Sequence, residues 1–172
     1  LADMLAVKER DSLCATAERL IKRGMSFDEI MTLASLIQHE SSYVSDMMYI
    51  SAVFHNRMDS GDPSMQFMGS DASINYIREM NGLPPHMVLT AEDLASDNPY
   101  NTYKYAGLPP GPIRITSIQC LDAVLNAAQH QYLFMCARPD NSGRHNFART
   151  GAEHARNAAE YQRELNKRKI YR

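Results

Sequence analysis

Cysteine is scarce in this sequence and poorly spaced for a framework. Cys14, Cys120 and Cys136 leave one thiol over if the other two bridge, and no pair stands at a metal-ligand spacing. A disulfide-built fold and a cysteine-zinc module are both set aside, and the redox compartment stays open. An excess of positive charge is missing too. With 18 Lys and Arg against 20 Asp and Glu, the formal net charge is -2. Nucleic acid, whose phosphates demand a basic face, is not an expected partner. No apolar run approaches the roughly 18 residues that cross a bilayer, and no signal-peptide pattern opens the chain.

What is present suits one globular domain. The 172 residues, 44% of them hydrophobic and 22% charged, can bury one ordinary core. The expected domain spans 1–172, with a helical lead-in over 1–25. In that lead-in Leu13, Ala17, Leu20 and Ile21 share a face before Gly24. Ser26 with Glu29 then forms a capping box, Met25 is placed to staple onto Ile30, and Leu33, Leu36, Ile37 and Glu40 follow on one stripe. Ser45 is the expected cap of a further helix with Met47, Ile50, Phe54 and Met58 inward and Gly61 at its end.

Residues 61–115 are rich in Pro, Gly, Asn, Asp and Ser and read as a long irregular middle, the usual place for a binding surface. Thr116 with Gln119 predicts a capping box for a helix carrying Leu121, Val124, Leu125 and Ala128. Residues 131–137 and 145–148 are strand-like and joined through Pro139–Gly143 as a hairpin. Thr150 with Glu153 caps a last helix that runs into the solvated tail Lys167-Arg168-Lys169. The expected class is α+β, mainly helical with a small antiparallel sheet.

Glu40 is the chemical anomaly. A carboxylate on an apolar stripe loses hydration, and in the last turn of a helix it also faces the negative end of the helix dipole. Both effects favour the protonated form. A shift from the usual value of about 4.3 to roughly 6 would make a neutral-pH general acid and requires about 2–3 kcal/mol. Periodicity alone leaves the alternative that Glu40 sits at the stripe's edge and meets water or an arginine. His39, His55, His145 and His154 raise the question of a metal, yet His39-Glu40 lacks the second histidine, four residues on, of a zinc-protease helix.

The blocks Ala34-Ser35-Leu36-Ile37-Gln38-His39-Glu40-Ser41, Ile50–Met58, Gly69-Ser70-Asp71-Ala72-Ser73-Ile74-Asn75-Tyr76, Asn98–Tyr103, Gly107–Ile113 and His145–Thr150 with Glu153-His154 occur in family order. In them the chain resembles the MltG (YceG-like) endolytic murein transglycosylases over roughly residues 30–160. The resemblance implies a lysozyme-like catalytic domain that cleaves the MurNAc-GlcNAc β-1,4 bond and leaves 1,6-anhydro-MurNAc ends. It makes Glu40 the catalytic residue, an acid and then a base, where ordinary glycosidases need two carboxylates. A catalytically inactive glycan-binding module is the alternative.

For substrate binding the resemblance implies Ser41, Ser70, Asp71, Asn101, Thr102, Tyr103, His145 and His154. Asp71 can orient a sugar hydroxyl or support the cleft, or simply fix its loop. Asn101, Thr102 and Tyr103 offer amide, hydroxyl and ring-face groups suited to an acetamido sugar; a turn after Pro99 with tyrosine as filler would also explain them. Gly107–Ile113 reads as a stiff wall. Gln38 and His39 depart from the acidic residue and lysine common in the family, and Ala72-Ser73 from its Pro-Thr.

No metal and no cofactor are expected; Lys8, Lys22, Lys104, Lys167 and Lys169 form no block suited to a Schiff base. The implied partners are peptidoglycan glycan strands and, in the intact protein, peptidoglycan synthases. The implied location is the extracytoplasmic face of the bacterial cytoplasmic membrane. Contact with the membrane would come only through an anchor which, like the family's wall-binding module, is not found in these residues.

Overall fold

The computed structural model describes residues 24–170, together with Asp11, Cys14, Ala15, Glu18 and Ile21. Leu13, Ala17 and Leu20 of the expected lead-in face lie outside the described residues. The elements run α1 (Phe27–Glu40), α2 (Val44–Asp59), a 3-10 turn (Pro63–Gln66), α3 (Asp71–Met80), α4 (Ala91–Ala95), α5 (Ile118–Leu125), β1 (Phe134–Ala137), β2 (His145–Ala148) and α6 (Gly151–Lys167). Helices with one antiparallel hairpin make this an α+β fold.

α1 is the centre of the molecule. Its start is written locally: Ser26 accepts from the Glu29 N–H while the Glu29 side chain reaches back to the Ser26 N–H, satisfying two donors that a helix start leaves orphaned. Met25 packs against the core group that includes Ile30. Every residue from Thr32 to Ile37 is buried, so α1 is enclosed on more than its expected stripe. Ile30, Leu33, Ala34 and Ile37 meet Met47, Ile50 and Phe54 of α2 and Cys120, Ala123 and Val124 of α5. Each such apolar side chain contributes about 1.5–3 kcal/mol by leaving water, and truncating one, as in Leu33→Ala, would cost about 2–5 kcal/mol. Leu36 faces another way, to Ala72 of α3 and Ile113.

The segment before Ile113 closes over α1 through a polar contact. The Ser35 hydroxyl donates to the Thr32 carbonyl at 2.7 Å and accepts the Ile113 N–H at 3.0 Å. The stiff Gly107–Ile113 run is thus packed architecture. The hairpin pairs Phe134 with Ala148 and Ala137 with His145, and α6, capped by Thr150 and Glu153 as expected, packs across both strands. Asn56 Nδ2 donates to the His130 and Tyr132 carbonyls at 2.9 and 3.0 Å. Arg57 donates to the carbonyls of Met65, Phe67 and Leu133, so these two residues fasten the hairpin lead-in and the loop after α2 to that helix.

Three local expectations need correction. Ser45 lies inside α2, whose N-cap is Tyr43 without a side-chain cap; the helix begins where Ser41 and Ser42 release the chain, one turn after Glu40. Thr116 is displaced by its neighbour: Ser117 caps α5 by accepting the Cys120 N–H, and Gln38 Oε1 from α1 accepts the Ser117 N–H at 2.9 Å. That helix stops at Leu125, leaving Ala128 beyond it, where its N–H donates to the Met48 carbonyl. The middle is more ordered than its composition suggests. It contains the ten-residue α3, whose Ala72, Ile74 and Ile77 are buried and form its inner face.

Candidate active site

Glu40 is the last residue of α1. The next residue, Ser41, turns extended (φ -148°, ψ 150°), ends the helix and gives its N–H to the Ile37 carbonyl. The carboxyl is therefore carried on the most completely buried helix of the fold. Glu40 keeps partial solvent contact, but its carboxyl is closely surrounded by protein, and that desolvation pushes its pKa up to about 7. A hydrogen bond from Ser70 pulls the other way, and the charge of Asp71 adds to the rise. Burial wins because one neutral hydroxyl replaces only part of the lost hydration.

The Ser70 hydroxyl donates to Glu40 Oε1 at 2.5 Å. Ser70 is almost fully buried, and its place is set by Thr102. The Gly69 N–H donates to the Thr102 carbonyl at 3.0 Å and the Ser70 N–H to Thr102 Oγ1 at 2.9 Å. Ser73 Oγ donates to the Ser70 carbonyl and lies 2.8 Å from Thr102 Oγ1. Since each hydroxyl has one proton, Thr102 donates to Ser73 in turn. Gly69 takes φ +60° there, a conformation that a side chain would strain, and its Cα faces the Tyr103 ring. Asp71 opens α3 and accepts from the Tyr103 hydroxyl. Tyr103 is two-fifths exposed.

The expected site residues therefore divide. Glu40, Ser70, Asp71 and Tyr103 form a contiguous set at the α1 end and α3 start. Thr102 and Asn101 lie beneath it, 1% and 0% exposed. Both amide hydrogens of Asn101 go to the Leu94 and Ser96 carbonyls, and its oxygen accepts the Tyr103 N–H. Both side chains are buried and engaged inside the protein; they hold the loop that carries Ser70 and Tyr103. Ser41 is buried and accepts the Tyr43 N–H.

His145 sits on β2 against α2, its N–H 2.8 Å and its Nδ1 3.3 Å from Asp46 Oδ2. Burial outweighs Asp46 and holds its imidazole below the usual value, so it is neutral at pH 7. His154, on α6, stacks on Phe134 at 5.3 Å. Burial, then the nearby Arg57 charge, keeps it neutral as well. The histidines are thus dispersed, and among the described residues no three His, Cys, Asp or Glu side chains converge as metal ligands.

Three residues escaped the sequence reading. Ser73 completes the hydroxyl relay under Ser70, and the Ser-x-x-Ser spacing across a helix start was the available signal. Tyr43 and Arg144 also come together beside the α1 end, with no local signal for the pairing. Two cavities lie elsewhere. One of about 390 Å³ is between Pro139 and α6, and one of about 280 Å³ is between α3 and α4 beside Arg78 and Asp93. Glu40 lines neither.

These features define an α+β protein with a desolvated, proton-holding carboxyl at the end of its central helix, and among the described residues no second carboxyl is hydrogen-bonded to it. The family model described as the YceG-like family matches residues 1–160, and the chain belongs to that family. It is 29% identical over 163 residues to the endolytic murein transglycosylase of Streptococcus pneumoniae serotype 2, covering 92% of this chain and 28% of that protein. It is 31% identical over 156 residues to the endolytic murein transglycosylase of Bacillus subtilis, covering 90% and 41%. A crystal structure of a yceG-like protein from Listeria monocytogenes matches with a TM-score of 0.70 at 30% identity, over 84% of this chain and 44% of that one. The chain thus spans less than half the length of each of these relatives.

Proposed function

We propose that this domain is the catalytic part of an endolytic lytic transglycosylase acting on peptidoglycan glycan strands. The observation that carries the reading is a single carboxyl raised to about 7 by burial and oriented by Ser70. At neutral pH about half of such groups hold a proton, so one residue can donate and then accept.

In the proposed reaction Glu40 gives its proton to the oxygen linking C1 of MurNAc to the next sugar, and that C1–O bond breaks. The charge developing on the ring is relieved when the 6-hydroxyl oxygen of the same sugar bonds to C1. Glu40, now a carboxylate, takes the proton from that hydroxyl. A 1,6-anhydro ring forms, no water is consumed, and Glu40 ends protonated as it began. Ser70, donating to Oε1, leaves Oε2 to exchange the proton. Asp71 and Tyr103 flank the sugar, the tyrosine as a plate for a pyranose face and Asp71 as a negative charge that adds to the effect of burial in keeping Glu40 protonated. Ser41, Asn101 and Thr102 act as support beneath the site, and His145 and His154 as neutral parts of the hairpin side.

Among the described residues no helix is long and apolar enough to cross a membrane. In the intact protein the domain acts at the outer face of the cytoplasmic membrane, where its polymer is made, alongside peptidoglycan synthases. The test is mass spectrometry of digested peptidoglycan. Anhydro-MurNAc ends from the wild type, lost in Glu40→Gln while glycan binding persists, support the reading. Reducing ends would make the protein a hydrolase, and an inert wild type that still binds strands would make it a binding module.

A further inference from the structure

The hairpin seats an arginine on Tyr43, at the start of α2 and three residues after Glu40. Gly143 brings the turn onto the Tyr43 ring, its Cα so placed that a Cβ would lie 3.4 Å from Tyr43 Cε2. The turn is held by Asp140, which accepts from the Ser142 N–H at 3.0 Å, and by the Arg138 N–H donating to the Arg144 carbonyl at 2.8 Å. Arg144 then lays its guanidinium over the Tyr43 ring at 4.6 Å. Stacking of this kind fixes the plane of the guanidinium while leaving its edge available.

That edge is engaged by one long ion pair and one long hydrogen bond. Nη1 is 3.6 Å from Asp46 Oδ1 and 3.4 Å from Ser45 Oγ, both long for a charge-assisted bond. Asp46 is itself committed, because its other oxygen accepts the His145 N–H. Arg144 and Tyr43 are each about two-fifths exposed. Tyr43 follows Glu40 by three residues, so their Cα atoms lie at most about 11 Å apart, and a sugar beyond the one at Glu40 is what the pair is proposed to meet.

We propose that Arg144, seated on Tyr43, is a carboxylate-binding subsite that grips the acidic substituent of a muramyl sugar. It rests on the glycan-strand reading above. Muramyl sugars differ from other acetamido sugars in carrying a lactyl group, which either ends in a carboxylate or is amide-linked to a short peptide that does. A fixed, part-exposed guanidinium fork suits that group, whereas neutral sugars offer it nothing ionic. Arg144 is a specificity residue; it takes no part in proton transfer.

The test measures kcat and KM of wild type, Arg144→Gln and Arg144→Lys on three substrates: peptide-bearing strands, the same strands with carboxyls methyl-esterified, and strands stripped of peptide so that the lactyl carboxylate is exposed. The proposal expects Arg144→Gln to raise KM about tenfold on a carboxylate-bearing strand with kcat little changed, the scale of one charge-assisted contact at a part-exposed site. It expects Arg144→Lys to lose less, and the esterified strand to show no difference. A loss confined to the peptide-bearing strand identifies the peptide carboxylate; one confined to the stripped strand identifies the lactyl group. An equal loss on esterified strands, or no loss anywhere, overturns the subsite. If the wild type releases no product, strand binding by Glu40→Gln with and without Arg144→Gln gives the same readout, so failure of the subsite is distinguished from failure of the lytic reading.

Discussion

Ser70 donates a 2.5 Å hydrogen bond to Glu40 across thirty positions of sequence. It lowers the pKa of a carboxyl that burial and the charge of Asp71 raise. Ser70 therefore orients the acid and tempers its proton affinity. Replacing it with alanine should raise the Glu40 pKa further and lower kcat by about tenfold, the usual scale of one lost hydrogen bond at a reacting group. The pH profile of that variant checks both effects.

Asp71 acts on Glu40 through charge. Asp71→Asn removes the negative group that helps keep the proton on Glu40, so the fall in kcat/KM at rising pH should move to lower pH. Tyr103→Phe removes the hydroxyl that donates to Asp71 but keeps the charge, and should leave the limb in place. If both variants shift it equally, the effect is structural rather than electrostatic.

A buried acid also reports through stability. The folded-state value of about 7 lies above the ordinary 4.5, so between those values the native protein holds more protons than the unfolded chain. Stability contributed by the protonated form is fully present below about 4.5 and is lost as pH rises through 7. Glu40→Gln carries no such loss. Relative to wild type it should gain with pH, reaching about 2–3 kcal/mol at pH 8 and little at pH 4. Urea unfolding of both proteins at several pH values measures this directly.

Asn101 is expected to matter for the fold before it matters for chemistry. Its fully buried amide joins three backbone groups. Asn101→Ala should cost about 2–4 kcal/mol, since it removes a fully buried amide and leaves two part-buried carbonyls and an N–H without that partner. Thermal unfolding should show that loss even in the absence of any glycan.

The readable parts of the sequence were those fixed within one turn of chain. The capping boxes at Ser26 and Thr150 and the hairpin around Gly143 depend on neighbours three to five residues apart, and they form where expected. Glu40 stood out because a charge on an apolar stripe is a conflict that the sequence itself displays. Thr116 misled because the adjacent Ser117 can cap as well, and its contact with Gln38 decides between them; Ser45 misled because α2 has its N-cap two residues earlier, at Tyr43, without any side-chain cap. α3 was hidden by Asp, Ser and Asn at its start, residues that also favour turns. Whether Asn101 and Thr102 face a ligand or hold a loop depends on which distant carbonyls and hydroxyls arrive beside them. Composition carries no trace of that, nor of Arg144 meeting Tyr43 across a hundred residues.

The most direct test of the account is the ionisation of Glu40 itself. Titration of the side-chain carboxyl carbon by NMR in glutamate-labelled protein, with the resonance assigned by its absence in Glu40→Gln, gives the value without substrate or product. A midpoint near 7 is predicted. A midpoint near the ordinary 4.5 would leave the side chain ionised at neutral pH, unable to start the proposed cleavage, and would contradict the account.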